Sequence, residues 1–115
     1  MSRREQIKMS LEDISSYLKE SRTIILVSNG KNGYPHPMPM WYAVDEKNTV
    51  YMTTFKKSQK IENLKRDPRV ALLVESGDSY NQLKSVLIYT RVDLVENLED
   101  TRDILMKISI QRGDL

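Results

Sequence analysis

The hydrophobic and polar positions alternate between a helical and a strand period along the chain. Residues 10–20 (SLEDISSYLKE) place Leu11, Ile14 and Leu18 at helical spacing, which predicts a helix with one apolar stripe. Ser10 suits its N-cap, and Glu12 and Asp13 fall in the first turn, where the helix dipole favours anions. Residues 23–28 (TIILVS) are β-branched and apolar and predict a buried strand. Residues 29–33 (NGKNG) supply the positive φ values of a hairpin turn, and residues 34–44 (YPHPMPMWYAV) return as a strand. After a polar turn, residues 49–54 (TVYMTT) form a third strand, with Val50, Met52 and Thr54 facing one way and Tyr51 and Thr53 the other.

A short helix follows. Ser58 is its expected N-cap, Ile61 and Leu64 its inward pair, and Glu62 and Arg66 are spaced for a surface ion pair. Asp67-Pro68 stops it. Residues 69–74 (RVALLV) are apolar on both faces, as in a central strand. Beyond a polar loop, residues 84–96 alternate, with Val86, Ile88, Val92 and Leu94 on one face, and are long enough to bend across two sides of a barrel. Residues 98–110 give a last helix, with Leu98, Leu105 and Ile108 near one stripe. The order α-β-β-β-α-β-β-α with hairpin links predicts a mainly β fold, a small antiparallel barrel with flanking helices, as one domain over residues 1–115.

The second strand departs from an ordinary pattern. Pro35, Pro37 and Pro39 share one parity, so their missing N–H donors fall on one edge of the strand. The other edge, through His36, Met38 and Met40, can still pair with Ser28, Val27 and their neighbours. Proline this dense belongs on an edge or at a bulge. Two readings stay open: an edge protected against aggregation, or a gap that receives a flat ligand or a second subunit. Trp41 and Tyr42 point to opposite faces.

Composition narrows the function classes. Lys+Arg 18 against Asp+Glu 16 gives a net charge of +2, too balanced to identify a nucleic-acid binder by charge. The absence of cysteine excludes disulfides, thiolate nucleophiles and Cys-ligated metal, and fits a reducing interior. The first ten residues lack the apolar core of a secretory signal, and no aliphatic run approaches a membrane span. A soluble, cytoplasmic protein is expected.

Candidate chemistry concentrates in one corner. Lys56, Lys57, Lys60, Lys65, Arg66 and Arg69 lie between positions 56 and 69, opposed by Glu62 and Asp67. Lys57 and Lys60 share a side at the start of the short helix, where free N–H groups and the dipole also favour an anion. Thr53, Thr54 and Ser58 bring hydroxyls to the same place. A phosphate fits there, although the same composition suits a solvated basic helix. His36 is the sole histidine, without the spacing of a metal site or an evident orienting carboxylate, and reads as an ordinary strand residue. Neither a Gly-x-Ser-x-Gly elbow nor a Gly-rich phosphate loop is present. The catalytic residues are not identified by sequence.

Taken together, the hairpin, GYPHPMPMWY at 33–42, VYMTT at 50–54 and KSQKIENLKRDPRVALLVE at 57–75 resemble the pyridoxamine 5′-phosphate oxidase-like, flavin-binding split-barrel superfamily. The likeness spans residues 10–97 and is strongest to the branch that uses FMN or the 8-hydroxy-5-deazaflavin coenzyme. It implies a six-stranded antiparallel split barrel that forms a homodimer, with a cofactor in each cleft at the subunit interface. On this resemblance Lys57, Ser58, Gln59 and Lys60 hold the cofactor phosphate. Thr53 and Thr54 line the site, and the strand through Met38, Pro39, Met40 and Trp41 runs along the ring system.

The implied activity is hydride transfer between the cofactor and a small-molecule substrate, with the cofactor carrying the chemistry. The paired arginines and histidine that hold pyridoxal in true pyridoxamine-phosphate oxidases are not found, so that activity is not expected. The sixth strand is not visible either, so the barrel is expected to be shortened at its C-terminus, with five to six strands. The alternative is a non-catalytic flavin- or haem-binding protein on the same barrel. Aromatic residues are sparse around the basic helix, against a nucleic-acid surface.

Overall fold

The computed structural model describes residues 9–55 and 57–113. Helix α1 (Leu11–Glu20) starts from a capping box: the Ser10 hydroxyl accepts from the Asp13 N–H, and the Asp13 carboxylate accepts from the Ser10 N–H. The strands are β1 (Thr23–Asn29), β2 (Pro35–Val44), β3 (Val50–Met52), β4 (Arg69–Ser76) and β5 (Lys84–Arg91). Helix α2 (Gln59–Arg66) joins β3 to β4, and α3 (Leu98–Arg112) follows β5. The five strands form one curled antiparallel sheet, a half-barrel in the order β3-β2-β1-β4-β5, with three α-helices among the described residues.

Strand alternation places Ile24, Leu26, Met40, Tyr42, Leu72 and Val74 on one face of the sheet, where Leu18 of α1 and Leu64 of α2 complete the core. The Tyr42 hydroxyl donates to the Leu18 carbonyl. Burial pushes its pKa up to about 12, so the phenol stays protonated and keeps this bond. Gln111 ties three elements together. Its amide donates to the carbonyls of Leu18 (3.2 Å) and Ser21 (3.3 Å), and its Oε1 accepts from the Val44 N–H at 2.8 Å.

The proline strand behaves as its parity predicts. His36, Met38 and Met40 lie opposite Ser28, Leu26 and Ile24 of β1. On its other side β2 pairs with β3 only through Tyr42, Ala43 and Val44. Among the described residues, the edge of β2 from 35 to 41 therefore carries no strand. Trp41 is 59% exposed and Tyr42 is fully buried, on opposite faces.

Several expected boundaries move. The third strand spans three residues rather than 49–54: it pairs with Tyr42–Val44 only, and beyond Met52 it would run alongside the stretch of β2 whose prolines lack N–H donors. Thr53 and Thr54 thus leave the ladder before the turn into α2. Strand β5 ends at Arg91 rather than continuing to 96: its partner β4 begins at Arg69, opposite Arg91. One further bond, Val92 N–H to the Pro68 carbonyl at 2.9 Å, closes the pairing, so β5 does not bend across two barrel sides. Helix α3 runs two residues past 110 and ends at Gly113, whose φ of 80° suits a left-handed cap.

Two predicted stripes are only partly buried. Leu11 is exposed while Leu18 is buried, and of Leu98, Leu105 and Ile108 only Ile108 is buried. Glu62 and Arg66 do not pair; the Arg66 guanidinium donates instead to the Asn29 carbonyl at 2.7 Å and to Asn63 Oδ1 at 3.2 Å.

Candidate functional site

The free edge of β2, the 53–55 exit from β3 and the start of α2 meet in one cleft of about 550 Å³. Six of the residues singled out in the sequence line it: Pro39, Met40 and Trp41 from β2, Thr53 and Thr54 from the exit, and Lys60 from α2. Four do not. Met38 sits half-buried on β2 opposite Leu26. Lys57 is exposed in the turn before α2. Ser58 is the α2 N-cap, its hydroxyl accepting from the Ile61 N–H at 3.4 Å. Gln59 donates its amide to Asn63 Oδ1 at 2.8 Å and borders a separate groove with Lys31, Lys65 and Arg66. Lys56 lies outside the described residues.

The donor set suits a flat, phosphate-bearing group. The open stretch of β2 offers backbone groups with no strand opposite them, and Thr53 and Thr54 add hydroxyls. Lys60 sits half-buried in the first turn of α2, where the unpaired N–H groups and the dipole also attract anions.

The position of α2 depends on a residue the sequence reading passed over. Asn63 is fully buried. Its Nδ2 donates to Ser28 Oγ at 3.1 Å, while its Oδ1 accepts from Gln59 and Arg66. Asn29 Nδ2 donates to Asp67 at 2.9 Å, and Asp67 is gripped by the Arg69 guanidinium at 2.8 Å. Those bonds, the Arg69 side chain first, hold the Asp67 carboxyl well below the usual carboxylate range. Through Asn63, Arg66 and Asp67 the stretch Asn63–Arg69 anchors α2 on β1, while Lys65 and Arg69 remain exposed. Its legible signal was an Asn inside the inward arc of Ile61 and Leu64.

The far side of the cleft comes from α3, through Leu105, Ile108, Ser109 and Arg112, with Thr23 and Phe55 at its borders. The Arg112 guanidinium lies 3.6 Å from the centre of the Trp41 ring, a cation–π contact. No local pattern pairs the end of α3 with β2, since that contact is set only by tertiary packing. His36 remains a strand residue, with a buried Nδ1 that finds no hydrogen-bond partner among the described residues.

The fold defines a split-barrel domain with a cleft along its open sheet edge. The family model described as pyridoxamine 5′-phosphate oxidase matches residues 10–112, and the chain belongs to that family. None of the curated proteins matches the sequence. Among solved structures, a conserved hypothetical protein from Mycobacterium tuberculosis is 36% identical. It superposes with a TM-score of 0.86 over 96% of this chain and 69% of that one. A putative 5-nitroimidazole antibiotic resistance protein from Bacteroides thetaiotaomicron is 20% identical (TM-score 0.80, 90% of this chain, 67% of that one). A FAD-binding protein from Mesorhizobium loti is 24% identical (TM-score 0.72, 92% and 75%). The last two show the shared fold. No helix of the described residues is long and apolar enough to cross a membrane.

Proposed function

We propose that the chain is a cytoplasmic flavin-dependent oxidoreductase that binds FMN, or the 8-hydroxy-5-deazaflavin coenzyme, in the β2–α2 cleft. One observation carries this reading: the unpaired edge of β2 lies in the same cleft as Thr53, Thr54 and Lys60. The edge backbone and Trp41 would take the ring, and Lys60 with the α2 N-terminus would take the phosphate. Lys57 and Ser58, beside that terminus, are within the same grip on this reading. Gln59 contributes indirectly, through its bond to Asn63. A bound flavin supplies hydride transfer to a small molecule; the chain supplies binding and orientation.

The reading includes a homodimer. The sheet face opposite the core carries two apolar rows, Pro39–Ile25–Leu73–Leu87 and Pro37–Val27–Ala71–Tyr89, aligned by strand register. Leu87 is 53% and Tyr89 80% exposed. An apolar surface of this extent is favoured as an interface. Pro39 and Trp41 share that face and also line the cleft, so a second copy there would border the cofactor.

The test is the visible spectrum of the purified protein, followed by titration with FMN and with the deazaflavin. Flavin absorbance that travels with the protein, or saturable binding of either cofactor, supports the proposal. Absence of both refutes it. A Soret band would instead favour the haem alternative, for which His36 is the only histidine in the sequence.

A further inference from the structure

The side that α3 turns to the cleft is one stripe of the helix, Leu105, Ile108, Ser109 and Arg112, at the three- and four-residue spacing of a shared face. Its charge is committed: Arg112 lies over the Trp41 ring and holds a further interaction besides. Its apolar part is not fully covered, since Ile108 is buried but Leu105 stays 48% exposed at the cleft wall. The polar group left over is the Ser109 hydroxyl. A serine inside a helix can bond back to the carbonyl four residues earlier, and Thr101 of the same helix bonds in this way to Asn97, at 2.8 Å. Half-buried Ser109 makes no side-chain hydrogen bond among the described residues. Thr23, directly across from Trp41 in the β1–β2 pairing, brings a second such hydroxyl to the lining.

We propose that Ser109 is a specificity-determining residue, through which the α3 wall selects uncharged aromatic substrates that carry a carbonyl-type oxygen. This deepens the flavin-site reading and rests on it. The substrate oxygen accepts from the Ser109 hydroxyl, and its ring lies against Leu105. Phe55, 87% exposed at the border of the same cleft, favours an aromatic body. An anion brought to this wall would lose water against Leu105 and Ile108 and meet no uncommitted charge on α3 in exchange. Lys60, across the cleft, is left to the cofactor phosphate.

Trp41 is the only tryptophan in the sequence, so its single indole N–H resonance reports on this site in an NMR titration. The probes are acetophenone and ethylbenzene, which share a ring and differ by the carbonyl. They are titrated into the wild type, Ser109→Ala and Ser109→Thr, without cofactor and then with FMN present. The wild type is expected to bind acetophenone about fivefold more tightly than ethylbenzene, the scale of one net neutral hydrogen bond. Ser109→Ala should bring the two probes to parity by weakening acetophenone alone, and Ser109→Thr, which keeps the hydroxyl, should keep the preference. Alanine suits a helix interior, so Ser109→Ala should fold as the wild type does. Benzoate, tested with FMN bound and Lys60 thereby occupied, should bind more weakly than acetophenone.

A preference in either state that Ser109→Ala removes and Ser109→Thr keeps supports the proposal. Equal binding of the two neutral probes in both states overturns it, as does a ratio unchanged in Ser109→Ala, tighter binding of benzoate than of acetophenone, or a Trp41 resonance that no probe shifts. If Ser109 serves only to pack α3, Ser109→Ala weakens both neutral probes alike, which also overturns it. Failure of FMN to bind sinks the flavin reading separately, because the carbonyl preference is also measured without cofactor.

Discussion

Replacing Asn63 by alanine tests whether buried polar bonding holds α2 in place. The substitution removes the donor to Ser28 Oγ and the acceptor shared by Gln59 and Arg66. Gln59 is exposed and can return to water, and Arg66 keeps its bond to the Asn29 carbonyl. Ser28, 1% exposed, cannot rehydrate. Its stranded hydroxyl costs about 1–3 kcal/mol, and the void left by the carboxamide adds to this, for a total of about 2–4 kcal/mol. A domain with about 5–15 kcal/mol of stability remains folded after such a loss.

Ser28→Ala strands the Asn63 donor in the same way, whereas the double variant strands neither. Urea unfolding of the wild type, both single variants and the double variant closes a thermodynamic cycle. The double variant should be destabilised by about 1–2 kcal/mol less than the sum of the singles. Singles that add within about 0.5 kcal/mol, or an Asn63→Ala cost below about 1 kcal/mol, would refute the reasoning.

Other expectations follow from the same structure. Lys57→Ala with Lys60→Ala should weaken FMN by about 10- to 100-fold in Kd while the cofactor-free melting temperature barely moves; collapse of the fold would make these lysines structural. Leu87→Glu with Tyr89→Glu should convert a dimer to a monomer in size-exclusion chromatography with light scattering, and an unchanged mass would remove the sheet face as the interface. The Asp67 carboxyl is held below its unfolded value, so its stabilisation is complete above the ordinary aspartate pKa and is lost as pH falls through the folded value. The stability difference between wild type and Asp67→Asn should therefore be flat from about pH 5 to 8 and shrink below about pH 4; a difference that grows on acidification would contradict the assignment.

Features governed by local chemistry were legible in the sequence. Proline parity in β2 is a covalent fact, so the unpaired edge could be read before the fold. The caps at Ser10 and Ser58 follow from the chemistry of a hydroxyl beside free N–H groups. The lengths of β3 and β5 were not legible, because each depends on its partner: β3 leaves the ladder at Met52 opposite Tyr42, where the donor-poor proline stretch of β2 follows, and β5 ends opposite Arg69, the first residue of β4. The lysine-rich helix looked solvated by composition, yet Asn63 and Arg66 are committed to β1. The α3 side of the cleft was hidden for a related reason: Gln111 and Arg112 act on residues such as Leu18, Val44 and Trp41, far away in sequence.

The central claim is that one cleft holds a ring along the β2 edge and a phosphate at Lys60 and the α2 start. Comparing FMN with riboflavin in the same titration tests it most directly, since the two share the ring and differ in the phosphate. FMN should bind at least about tenfold more tightly, an advantage that Lys60→Ala should largely abolish. Equal affinity for the two, or an advantage that Lys60→Ala leaves intact, would contradict it.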